Sequence, residues 1–99
     1  MSGEQPSPEE VSKMLAQVST TELVQGFLGT LIGKAWENLG LWVNPAVGES
    51  RTNLSEAKLA IDAAGALFAL IEGGLPDRER REIRGTLADL QVNYVQRAQ

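Results

Sequence analysis

The chain has neither cysteine nor histidine among its 99 residues, and this double absence removes more chemistry than any motif present adds. It rules out a disulfide framework, a Cys or His metal site, thiol chemistry and the usual Ser-His or Cys-His nucleophile pair. Lysine is nearly as scarce, with Lys13, Lys34 and Lys58 the only three. General acid-base work near neutral pH would then rest on a strongly shifted carboxylate or lysine. Long apolar runs are missing too. The longest charge-free stretches, such as 23–33, fall far short of the roughly 20 residues that a membrane helix needs. The first residues, Met1 to Pro6, carry no basic region followed by an apolar one, which sets the expectation of a cytoplasmic protein away from membranes. Nor is there a strong charge imbalance. The net charge is −4, and Glu4, Glu9 and Glu10 supply three of the four excess negatives, so the body is nearly neutral and attracts nucleic acid weakly at long range.

What remains is helix-forming sequence in an amount that suits one small domain. Residues 1–6 read as a polar, proline-containing tail, and 7–99 as a single helical domain. Ser7, Pro8 and Glu10 give a cap, a first-turn proline and a third-position carboxylate. Val11, Met14, Leu15 and Val18 follow at helical spacing, predicting a helix over about 8–18. Ser19 and Glu22 repeat the cap and start a second helix over about 20–39, stopped by Gly40. Its apolar arc holds Val24, Phe27, Leu28, Leu31, Ile32, Ala35, Trp36 and Leu39.

The other side of that helix carries Gly26, Gly29 and Gly33, each costing about 1 kcal/mol relative to alanine in a helix interior. Two readings stand: another backbone approaches closely along this face, or the glycines are tolerated on a solvated one. A phosphate-binding loop is excluded, since no strand precedes the glycines and no Gly-Lys-Ser/Thr ending follows. A membrane packing motif is excluded by the flanking Glu22, Lys34 and Glu37.

Residues 40–52 form the one long irregular stretch, with Asn44, Pro45 and Gly48 as turn formers. Trp42, between Leu41 and Val43, either folds back over its own core or stands out as an anchor for a partner. Asn53 and Glu56 then open a third helix over about 54–73 with two apolar stripes. Leu54, Ala57, Ile61, Ala64, Phe68 and Ile71 follow the alternating spacing of a helix-packing seam, while Leu59, Ala63, Ala66 and Leu70 run along another side. A helix apolar on two sides must be covered on two sides. Three or four short helices cannot easily do that within one chain, so a homodimer through the second and third helices is expected, with Gly26, Gly29, Gly33, Trp42, Leu59, Ala63, Ala66 and Leu70 as candidate interaction residues.

A last helix over about 77–96, with Asp77 as its cap, carries Ile83, Leu87, Leu90 and Tyr94 on its core face and pairs with the third in an antiparallel hairpin. The expected fold is therefore an all-α bundle of three to four helices, with the first as a shorter accessory. Arg78, Arg80, Arg81 and Arg84 form the only basic cluster, and Arg78, Arg81 and Arg84 could meet RNA phosphates or an acidic partner. Asp77, Glu79 and Glu82 interleave with them, which favours a self-neutralised solvated face. Asp62 has Lys58 one turn earlier as a natural ion-pair partner and no second acid on its face at ligand spacing. No catalytic residue, metal or cofactor is expected. The function expected is that of a non-enzymatic interaction or scaffold module, with RNA or ribosome association as the alternative.

Leu31, Ala35, Leu39 and Gly40 ahead of a Pro/Gly loop, then Asn53, Leu54, Ala57, Ile61 and Asp62, then Leu87, Leu90, Tyr94 and Val95, resemble the bacterial domain of unknown function 1844 over about 20–96. The resemblance implies no catalytic residue to carry over, and it implies a setting linked to translation. The chain departs from the family pattern at Gln91, where arginine is frequent, and at Glu72, Gly73 and Gly74, where the turn is more basic.

Overall fold

The computed structural model describes residues 6–43, 45, 46, 48 and 51–99. Residues 1–5 of the expected 1–6 tail and the turn former Asn44 lie outside these residues. Four α-helices follow in order: α1 (Pro8–Ala16), α2 (Thr20–Asn38), α3 (Leu54–Ile71) and α4 (Asp77–Ala98), with a 3-10 turn, Glu72–Gly74, before the last. No strand occurs among the described residues. The all-α bundle that the sequence implies is the fold.

The first three starts are set by the local chemistry that the sequence advertises. The Ser7 hydroxyl accepts from the Glu10 N–H at 3.1 Å, and Asn53 accepts from the Glu56 N–H at 3.2 Å. At Ser19 the capping box closes in both directions, the hydroxyl accepting from Glu22 N–H at 3.0 Å and the Glu22 carboxylate from Ser19 N–H at 3.1 Å. That reciprocal bond holds the Glu22 carboxyl below its ordinary range, the backbone N–H of Ser19 being the larger cause. α2 ends with Leu39 as its cap and Gly40 at φ 78°, the left-handed conformation that glycine adopts without strain.

α4 departs from its expected start. Its cap is Pro76, with no side-chain hydrogen bond, and Asp77 is the first helical residue. The Asp77 carboxylate instead pairs with Arg80, whose guanidinium also donates to the Glu72 and Leu75 carbonyls at 3.3 and 3.4 Å. Arg80 therefore fastens the α3–α4 turn, and α3 stops at Ile71 because the chain tightens there to 3-10 geometry. α1 also ends early, at Ala16, with Gln17 and Val18 making i−3 bonds to Met14 and Leu15 before the Ser19 cap begins α2.

α3 is the central element, with α2 packed along one side and α4 along another. Hydrogen bonding of Asn53 N–H to the Asn38 carbonyl at 2.8 Å sets the end of α2 against the start of α3, making the two antiparallel. Arg84 lies over the Phe68 ring at 6.0 Å and Tyr94 lines a groove with Ile61, so α4 runs antiparallel to α3. The core contains Leu28, Ala35 and Leu39 of the α2 segment, Ala57, Ala60, Ile61, Ala64 and Phe68 of α3, Leu75, and Leu87 and Leu90 of α4. Four alanines in that set keep α2 and α3 close, since a short side chain lets helix axes approach. Every predicted seam position of α3 is in or against this core.

Two expectations about packing need correction. The first helix is not an accessory layer: α1 buries none of its residues, and Val11, Met14, Leu15 and Val18 stay exposed. Phe27, placed on the apolar arc of α2, is 56% exposed, because it sits at the edge of an arc whose centre is Leu28, Ala35 and Leu39.

Candidate interaction surface

The second apolar stripe of α3 faces outward. Leu59 is 64% exposed and Leu70 78%, with Ala66 exposed and Ala63 half-buried between them. Leu59 shares an open cavity of about 300 Å³ with Leu31, Lys34 and Asn38 of α2 and with Glu56 and Ala60. One turn back from Leu31 on α2 is Phe27, and one turn on from Leu59 on α3 is Ala63, so the antiparallel pair sets an apolar strip beyond the Lys34, Asn38 and Glu56 end of that cavity. The molecule measures 47 × 38 × 20 Å, and its short dimension is about two helix diameters. Among the described residues no further helix covers this side of α3, since Leu59 and Leu70 stay exposed. Large apolar side chains exposed together on one helix face make this strip the candidate interaction surface.

The glycine face of α2 is separate from this strip. Gly26, Gly29 and Gly33 lie on the side away from the core, and a Cβ added at any of them would meet nothing within 4 Å. Among the described residues no backbone approaches there. Gly33 borders a second open cavity, of about 350 Å³, with Trp36, Leu41 and Trp42. Trp42 is 46% exposed, neither folded fully over the core nor projecting free. It forms one wall of a shallow aromatic groove.

The arginines are largely spoken for. Arg78 pairs with Glu82 at 3.2 Å, Arg84 with Glu72 at 2.7 Å, and Arg80 with Asp77. Arg81 alone of the four has no acidic partner among the described residues. Lys58 and Asp62 make the expected i, i+4 pair at 2.6 Å, and the hydrogen bond to the carboxylate holds the Lys58 amine above its ordinary range. Both side chains are well exposed, so the pair is an ordinary surface ion pair of small energetic weight. Among the described residues no helix is long and apolar enough to cross a membrane, and no group of three or more acids is gathered as metal ligands would be.

Sequence reasoning missed two contacts that shape this region. The Asn38 to Asn53 bond has no motif, because it depends on how the 39–53 connection closes. Arg80 read as one of a surface cluster because its carbonyl partners belong to a turn that only the folded chain creates.

The fold and its surfaces define the class: a small helical bundle with an uncovered apolar strip and, among the described residues, no cluster of metal-ligating side chains. The chain belongs to the family described as Domain of unknown function (DUF1844), whose model matches residues 20–96. That span begins at α2 and takes in the three packed helices, leaving α1 outside it. Comparison with curated proteins gives no match, and comparison with solved structures gives none.

Proposed function

We propose that this protein is a non-enzymatic, cytoplasmic protein-interaction module that works as a homodimer, with the outer stripe of α3 and the adjoining edge of α2 as the contact between copies. One observation carries the reading: Leu59 and Leu70 are more than half exposed on the same strip as Phe27. A second copy fits this surface because a two-fold axis lets each copy cover the strip of the other, and two-fold dimers are the commonest oligomers. The neutral body adds little electrostatic repulsion between copies.

RNA or ribosome association through Arg78, Arg81 and Arg84 is the less favoured reading. Phosphate binding would draw Arg78 and Arg84 away from Glu82 and Glu72, leaving Arg81 as the one of these three without an acidic partner among the described residues.

Sedimentation velocity tests the dimer. The chain at tens of micromolar is expected to sediment as twice its 10.7 kDa mass, and Leu59→Glu to shift it toward the single chain. A single-chain species for both proteins would refute the reading. The RNA alternative separates by salt, since binding through phosphates weakens steeply as ionic strength rises whereas an apolar contact does not.

A further inference from the structure

α1 is a helix without a surface. Its own signals start it: the Ser7 cap, Pro8 in the first turn, Glu9 and Glu10 at the positive end, and Lys13 in the last turn. Nine residues are nevertheless fewer than the roughly 12–15 at which an isolated helix becomes even marginal in water, so local signals alone do not sustain it. Such a helix persists by laying its apolar stripe on something. That stripe, Val11, Met14, Leu15 and Val18, is exposed along its whole length.

The polar side of α1 argues about what the partner is. A helix that lies on an anionic bilayer is rich in Lys and Arg on its polar face. Here that face holds Glu9 and Glu10 against Lys13, which suits an apolar protein groove. The same chain offers one: the strip of Phe27, Leu59 and Leu70. At 1.5 Å per residue the nine residues of α1 span roughly 14 Å, and the eleven steps from Leu59 to Leu70 span roughly 16 Å. α1 is short enough to lie within the strip, and both surfaces are apolar.

Resting on the dimer reading above, we propose that α1 is an exchanged arm, seated on the α2–α3 strip of a second copy while that copy's α1 seats on the first. Connectivity favours exchange. The capping box at Ser19 starts α2 independently of α1, only Gln17 to Ser19 join the two helices, and α1 leaves its own bundle with its stripe unburied. Exchange of an identical element is a low-cost route to a two-fold dimer, because each arm and each strip is covered once.

The absence of cysteine makes the test clean. Met14→Cys in one preparation is mixed with Leu70→Cys, or with Leu59→Cys, in a second chain of altered length, then mildly oxidised and separated without reductant. All three positions are more than half exposed, so the substitutions leave the core intact. A disulfide between the two different chains, at least tenfold above that given by the exposed control Gln96→Cys, is the expected result. In sedimentation, Leu15→Glu should weaken the dimer at least tenfold. Dimers that ignore Leu15→Glu and give no arm-to-strip disulfide would overturn the exchanged arm while leaving the dimer standing. A disulfide confined to single chains of the double variant Met14→Cys, Leu70→Cys would overturn it in favour of an arm folded onto its own bundle. A strictly monomeric chain would overturn both readings.

Discussion

Replacing Gly29 with alanine separates the two meanings of the glycine face. Gly29 is in the middle of α2, so the substitution gains the full difference in backbone entropy, about 0.5–1 kcal/mol. No steric charge offsets it, since an added Cβ meets nothing within 4 Å. The position is exposed, so no burial term adds to the gain. It is also cleaner than its neighbours: Gly26 gives its carbonyl to the Thr30 hydroxyl at 2.9 Å, and Gly33 borders the Trp36 and Trp42 groove. For a domain of this size the gain corresponds to a rise of roughly 2–8 °C in the melting midpoint. Calorimetry at one fixed protein concentration reads it, the concentration being held because association shifts the midpoint. A lowered midpoint, or a weaker dimer, would refute the reasoning and show that another backbone lies against this face.

Other perturbations follow from the packing and the caps. Leu90→Ala, at a fully buried position between α4 and its neighbours, should cost about 2–5 kcal/mol in chemical denaturation with the slope unchanged. Ser19→Ala should cost about 1 kcal/mol by opening the capping box. Because the folded Glu22 carboxyl lies below its unfolded range, its stabilisation is complete above that range and is lost as pH falls through the depressed value. Glu22→Gln, which removes the titrating carboxyl itself, should flatten that acid limb of the stability profile, and an unchanged limb would contradict the assignment. Arg80→Ala should destabilise by about 1–3 kcal/mol through the loss of its charged hydrogen bonds at the α3–α4 turn, whereas Arg81→Ala, with no partner, should stay within about 0.5 kcal/mol of the parent.

The helices were legible in the sequence where side chains act on their own neighbours. Ser7, Ser19 and Asn53 cap as their spacing implies, and the seam from Leu54 to Ile71 faces the core because a 3-4 alternation leaves it no other side. The outward direction of Leu59 and Leu70 was readable for the same reason. What could not be read depends on contacts distant in the chain. Pro76 takes the cap position from Asp77, the carboxylate of which is drawn to Arg80, and that arginine is held by carbonyls exposed only once Glu72–Gly74 has tightened. The isolation of α1 was hidden as well, since amphipathic spacing says that a helix has a face to bury and not which surface receives it. The pairing of Arg78 with Glu82 was legible as part of a self-neutralised face, whereas the Glu72 partner of Arg84 was not, since it reaches back from the preceding turn.

The most direct test of a copy-to-copy contact through the α3 strip is an isotope-filtered nuclear Overhauser measurement on a sample mixing labelled and unlabelled chains. It detects only proximities between different molecules. The account predicts cross-peaks from the methyl groups of Leu59 and Leu70 to protons of the other chain. It also predicts their disappearance in Leu59→Glu, with the resonances of the buried Leu28, Leu39 and Leu90 little changed. A concentrated sample in which those two leucines show no contact with a second chain would contradict the central claim.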